Sequence, residues 1–163
     1  MISKAEFCTN IKKYENTMYA VAYSVVKNEH DAGDAVGEAI LKAYAHLDTL
    51  KNPDAFKAWI LRIVHNEAVE LIRKNTPTMD IEAANQVPLD DTETKRTEKM
   101  DLREAVKNLP QPYRTVITLY YYESLSMEDI ASITGATALA VRKQLSRGRK
   151  RLRQMLKEDF LHE

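Results

Sequence analysis

Residues Ser126 to Leu152 read SMEDIASITGATALAVRKQLSRGRKRL. Ser126, with Asp129 three positions on, resembles a capping box, although Asp is shorter than the Glu that usually closes the box. Ile130 and Ile133 then lie on the inward side of a short helix. Gly135 can take the positive φ that most residues resist, which would allow a tight reversal. A second helix follows with Val141, Leu145 and Leu152 inward, and the unit is a helix-turn-helix. The outward side of the second helix carries Arg142, Lys143, Ser146 and Arg147, side chains suited to phosphates and guanine edges. Its basic continuation, from Arg149 and Lys150 to Arg153, adds affinity that falls steeply with salt. Most charge runs are only solvated faces. Here a cap, a turn glycine, a buried stripe and a run of cations without an acid from Arg142 to Lys157 coincide, which favours DNA.

Working towards the N-terminus, Val116, Ile117 and Tyr120 mark one inward face, Leu109-Pro110 breaks the chain, and a short helix spans about Glu98 to Asn108. Between Asn75 and about Thr97 the periodicity fades. Asp80, Glu82, Asp90, Asp91 and Glu93 gather there, and Pro77 and Pro88 each remove a backbone donor, so the stretch reads as a flexible linker and a domain boundary. Three amphipathic helices precede it. Ile11, Tyr14, Met18, Val21, Ala22 and Val25 share a face of the first, which ends near Asn28. Ala32, Val36, Ala39, Ile40, Ala43 and Leu47 stripe the second, from about His30 to His46. The third opens on Asn52-Pro53-Asp54, a cap, a first-turn proline and an acid at the positive helix end, and carries Phe56, Ile60, Ile63, Val64, Leu71 and Ile72 to about Lys74. Three such helices make a small bundle. The expected fold class is all-α: two small helical domains joined by a linker.

Composition agrees. The 163 residues include four Gly and five Pro, and 24 Lys plus Arg balance 24 Asp plus Glu, so a net charge of zero hides a basic end and an acidic middle. The single cysteine, Cys8, excludes an internal disulfide or a cysteine-based zinc site. The least polar stretch, Thr17 to Val26, is too short to span a bilayer, so a cytoplasmic protein is expected. His30, His46, His65 and His162 share no ligand spacing, and no nucleophile stands near a base with an orienting acid. The expectation is a protein without metal, cofactor, small-molecule substrate or catalytic residues.

These residues also carry a resemblance. Leu109-Pro110, Tyr113-Arg114, Val116, Tyr120 to Glu123, Ser126 to Ala131 and Val141 to Leu152 resemble region 4 of the extracytoplasmic-function (ECF) group of sigma-70 family sigma factors, which recognises the promoter −35 element. Asp31 to Glu38 with Ala43, and Phe56 to Ile60 with Arg62, Ile63 and Asn66, resemble region 2 of the same group. The resemblance implies three segments: region 2 over residues 1–75, a linker over 76–97, and region 4 over 98–163. Gly33 stands where the group commonly has an acid and Gly37 where it has a glutamine. Ala140 and Gln144 stand where Thr and Arg are frequent, which implies an unusual −35 preference.

The implied partners are RNA polymerase core, through the β′ clamp helices and the β flap, promoter DNA, and an anti-sigma factor that is often held at the membrane. The implied core contacts are Asp31, Asp34 and Glu38, with Leu41 near the apolar contact. The implied −10 contacts are Arg62, Arg73 and Lys74, together with Asn52, for which capping is an equally good account. Trp59 reads as a core residue beside Phe56 and Ile60. A stand-alone operator-binding regulator is the competing function, although no heptads offer a dimer seam. A helical adaptor with incidental basicity is a third.

Overall fold

Ser3 starts the first helix, α1 (Lys4–Val26), with a complete capping box: its hydroxyl accepts from the Glu6 N–H at 3.1 Å, and the Glu6 carboxylate accepts from the Ser3 N–H at 2.9 Å. The computed structural model describes residues 2–75 and 101–161, the last four of these by backbone alone. Lys27, with φ 57°, closes α1, and Asn28 opens α2 (Glu29–Ala45) by accepting from the Asp31 N–H. The first helix thus ends two residues before Asn28, which serves the next helix instead. Asn52 accepts from the Asp54 N–H at 3.0 Å and begins a single 3-10 turn, Pro53–Ala55, that leads into α3 (Phe56–Lys74).

These three helices pack together. Met18, Val21, Ala22, Ala32, Ala39, Ala43, Ile60, Leu61, Val64 and Ala68 have no exposed surface. Four alanines line the inner face of α2, which lets its backbone approach its neighbours closely. Val36, Ile40, Ile63, Leu71 and Ile72 of the expected stripes are only partly buried around this centre. Lys42 pairs with Glu67 at 2.7 Å across α2 and α3.

Gly33 and Gly37 lie on the exposed side of α2, and a Cβ at either would meet nothing within 4 Å. Neither is required for packing. Gly33→Ala with Gly37→Ala is therefore expected to stabilise the chain by about 1 kcal/mol per site, measured by urea denaturation.

The expected linker at 76–97, and the start of the helix expected at Glu98, lie outside the described residues. Asp101 caps α4 (Leu102–Lys107), accepting from the Glu104 N–H at 2.8 Å. After Leu109-Pro110 come α5 (Tyr113–Ile117) and a π-type turn, Thr118–Tyr122. The wider turn rotates the side chains that follow: Leu119 is fully buried, and Tyr120, expected inward, is half-buried. Then come α6 (Met127–Thr134) and α7 (Ala138–Leu161).

The two halves of the chain pack on each other. Helix α1 meets α5, α3 meets α6, and the buried apolar residues of both halves form one continuous cluster. Arg114 of α5, only 8% exposed, crosses this seam. Its Nε donates to the Ser24 carbonyl at 2.6 Å, Nη2 to the Val25 carbonyl at 3.1 Å and Nη1 to the Leu109 carbonyl at 2.8 Å. Burial lowers its pKa to about 10, so it remains cationic at neutral pH. His65 of α3 lines an adjoining cleft with Val25, Gln111, Thr115 and Gln144. Its Nδ1 is buried and has no hydrogen-bond partner among the described residues, and burial depresses the imidazole to about 4, which keeps it neutral.

Candidate nucleic-acid interface

The helix-turn-helix forms as α6 and α7. The Ser126 hydroxyl accepts from the Asp129 N–H at 3.1 Å, the forward half of a capping box. Gly135, with φ 82°, takes the left-handed conformation and donates to the Ala131 carbonyl at 2.8 Å, ending α6. Thr137 then accepts from the Ala140 N–H at 3.0 Å and starts α7. Ile130, Val141 and Leu145 are fully buried and Ile133 almost so, while Leu152 is half-buried against the same cluster.

Gly148 continues the inward side of α7. An added Cβ there would stand 3.0 Å from Ile117 Cγ1, so this glycine brings α7 close to α5. Nothing in the sequence pattern singled it out, because a glycine between Arg147 and Arg149 offers no apolar signal.

With about 100° of rotation per helical residue, Arg142, Lys143, Ser146, Arg147 and Lys150 fall on one side of α7, opposite Val141, Leu145 and Gly148, and all five are exposed. This is the arrangement needed to insert one face of a helix into a major groove. Arg149 is different. It lies near the edge of the inward side, is half-buried, and donates from Nη1 to the Tyr121 hydroxyl at 2.9 Å. Arg151 stacks its guanidinium 5.5 Å from the Tyr113 ring centroid. The run of cations therefore divides into an exposed stripe and residues that brace α7 on α5 and the turn after it.

The residues expected at the −10 element occupy α3 and the loop before it. Asn52 is exposed and caps. Arg73 pairs with Glu70 at 3.3 Å, and Lys74 is exposed at the helix end. Arg62 is exposed, but its Nη1 donates to the Ser132 carbonyl of α6 at 3.3 Å. Trp59 is half-buried, packs 5.6 Å from Phe56 and donates to Thr49 Oγ1 at 3.3 Å. It is anchored from both ends.

On α2, Asp34 and Glu38 are exposed, Leu41 is 66% exposed and Tyr44, one turn on, is 49% exposed. An apolar strip beside carboxylates on a helix fits a partner of mixed character. Asp31 is half-buried at the start of the same helix. Ligand atoms of His30, Asp31 and Asp34 lie within 4.8 Å of one another, a grouping of one histidine with two acids that histidine spacing does not reveal. His30 Nε2 is 3.6 Å from the Asp34 carboxylate, both well exposed, as expected of i,i+4 neighbours on a solvated helix. Among the described residues, no helix is long and apolar enough to cross a membrane.

Comparison with known proteins places both halves. The Sigma-70 region 2 model matches residues 11–78, and the Sigma-70, region 4 model matches residues 99–152. RNA polymerase sigma factor SigV of Bacillus subtilis is 35% identical over 97% of this chain and 96% of its own length. ECF RNA polymerase sigma factor SigW of the same organism is 28% identical over 93% and 89%. Among solved structures, the sigma factor RpoE in its co-crystal with the anti-sigma factor NepR from Bartonella quintana superposes with a TM-score of 0.71 at 26% identity, covering 93% of this chain and 97% of that one. With both regions matched in order and one relative aligned almost from end to end, the chain belongs to the ECF group of RNA polymerase sigma factors.

Proposed function

We propose that the chain is an alternative sigma factor, which binds RNA polymerase core and directs it to promoters carrying a particular pair of −35 and −10 elements. The observation that carries this reading is the face of α7: five exposed polar and cationic side chains, Arg142, Lys143, Ser146, Arg147 and Lys150, on a helix fixed by a capped helix-turn-helix. Arg142 and Arg147 present forked donors to guanine, and Lys143 and Lys150 present point charges to phosphate. Helix α2 docks on the β′ clamp helices through Asp31, Asp34, Glu38 and Leu41, and region 4 meets the β flap. Asn52, Arg62, Arg73 and Lys74 serve the −10 element, where an unstacked base must be held to keep the strands apart. The domains divide as 1–75, 76–97 and 98–163.

The protein brings specificity and no catalysis, acts in the cytoplasm, and is restrained by an anti-sigma factor, as the NepR-bound structural neighbour suggests. The test is in vitro transcription of a fragmented genomic library by bacterial core polymerase with and without the protein. New transcript starts preceded by a shared pair of elements establish the reading. Sequence-specific binding by the protein alone, without new starts, would move it to a stand-alone operator-binding regulator.

A further inference from the structure

Leu139 is 52% exposed, and among the described residues it is the one large apolar side chain of α7 left so far in solvent. An exposed leucine is ordinary in itself. Its place on the helix is not. At about 100° of rotation per residue, Leu139 falls within about 20° of Ser146 and of Lys150, with Arg142 and Lys143 one turn on, to either side. It stands in the middle of the outward stripe, at the end nearest the turn and opposite the buried Val141, Leu145 and Gly148. The first turn of α7 is anchored there. The Thr137 hydroxyl accepts from the Ala140 N–H at 3.0 Å, the Val141 N–H donates to the Thr137 carbonyl at 2.9 Å, and Val141 is fully buried. Ala138 and Ala140, its neighbours in the chain, are too small to screen it.

With α7 as the −35 reader, this first turn is the part of the recognition helix that meets base edges. The arginines, lysines and serine of the stripe can bond phosphates as well as bases, and phosphate contacts carry no sequence information. A leucine has no donor or charge to offer a phosphate. The apolar group that matches it in the major groove is the C5-methyl of thymine, which A, G and C lack. Ala140 and Gln144, the departures that imply an unusual −35 preference, are both half-buried. They lie about 100° and about 140° round the helix from Leu139, so the leucine is the better placed of the three to set that preference.

We infer that Leu139 is a specificity-determining residue, which packs on the C5-methyl of one thymine in the −35 element and so selects an A·T pair there. This rests on the reading of α7 as the −35 reader. The experiment measures binding of the full chain with core polymerase to a promoter duplex taken from the mapped transcript starts. Each thymine of the −35 element, on either strand, is replaced in turn by deoxyuridine, which removes one methyl and leaves base pairing unaltered. Burial of one methyl contributes roughly fourfold to an affinity, so wild-type binding should fall by about that factor at one thymine. Leu139→Ala should bind the two versions of that position equally, keep the wild-type response at the others and keep the wild-type urea midpoint. A Leu139→Ala protein that retains the whole methyl response would overturn the inference, as would a wild type indifferent to every methyl or a −35 element without thymine. Weakened core binding with an unaltered methyl response would also overturn it and assign the leucine to polymerase. If the Arg142 and Arg147 double alanine variant binds the promoter as well as wild type does, the −35 reading of α7 itself falls. Failure at Leu139 alone leaves that reading standing.

Discussion

Replacing Arg142 and Arg147 together with alanine is expected to lower −35-dependent transcription by at least about thirtyfold while leaving the fold intact. Both side chains are exposed on the outer side of α7 and hold up no part of the core. Surface replacements of this kind change stability by about 0.5 kcal/mol or less. A bidentate arginine–guanine pair contributes about 1–3 kcal/mol of discrimination, so the loss of two spans roughly thirtyfold to ten-thousandfold. Promoter titrations at several salt concentrations separate the two chemistries available to an arginine. If the pair reads bases, single changes at particular promoter positions become tolerated. If it grips phosphates, binding weakens uniformly across sequences and the salt dependence becomes shallower by about one counterion per contact. Undiminished transcription from the double variant would remove α7 as the −35 reader.

The contrast with Arg149 shows how much of this site is legible in sequence. The capped turn, the inward Ile130, Ile133, Val141 and Leu145, and the outward Arg142, Lys143, Ser146 and Arg147 all follow from helical periodicity, which is a local property. Arg149 belongs to the same basic run, and sequence alone groups it with the DNA-facing cations. Its position near the edge of the inward side brings it to Tyr121, on a different element. The same holds at Arg114. In sequence it is one arginine in a family motif, and only the meeting of α5 with the end of α1 adds the Ser24 and Val25 carbonyls to the nearby Leu109 carbonyl as its partners. Tyr120, expected inward, packs against the core only in part, and Leu119 within the same π-type turn is the fully buried residue. The stripes and most caps are legible in the sequence, and the structure adds the Ser3–Glu6 box of α1. The seam between the halves was not readable, since it depends on contacts between residues about 90 positions apart, such as Ser24 with Thr115.

Leu145→Ala should weaken −35 binding by a different route, and the difference tests whether α7 works as a positioned reader or merely as a source of charge. Leu145 has no exposed surface and lies on the inward side of the same helix, within the cluster that includes Ile130 and Val141. Truncating a buried leucine costs about 2–5 kcal/mol, because the apolar transfer energy is lost and the cavity closes only in part. A region of about sixty residues holds only about 3–9 kcal/mol in total. The variant should therefore show a large drop in urea midpoint with little change in slope, and its DNA affinity should fall together with its folded fraction. An added −35 promoter fragment that binds only the folded form should partly restore both. The Arg142 and Arg147 variant should keep the wild-type midpoint and gain nothing from added DNA. A Leu145→Ala protein that keeps its midpoint would show that the inward side of α7 does not fix the recognition face. Retained specific binding by its unfolded fraction would reduce the interface to unstructured basic charge.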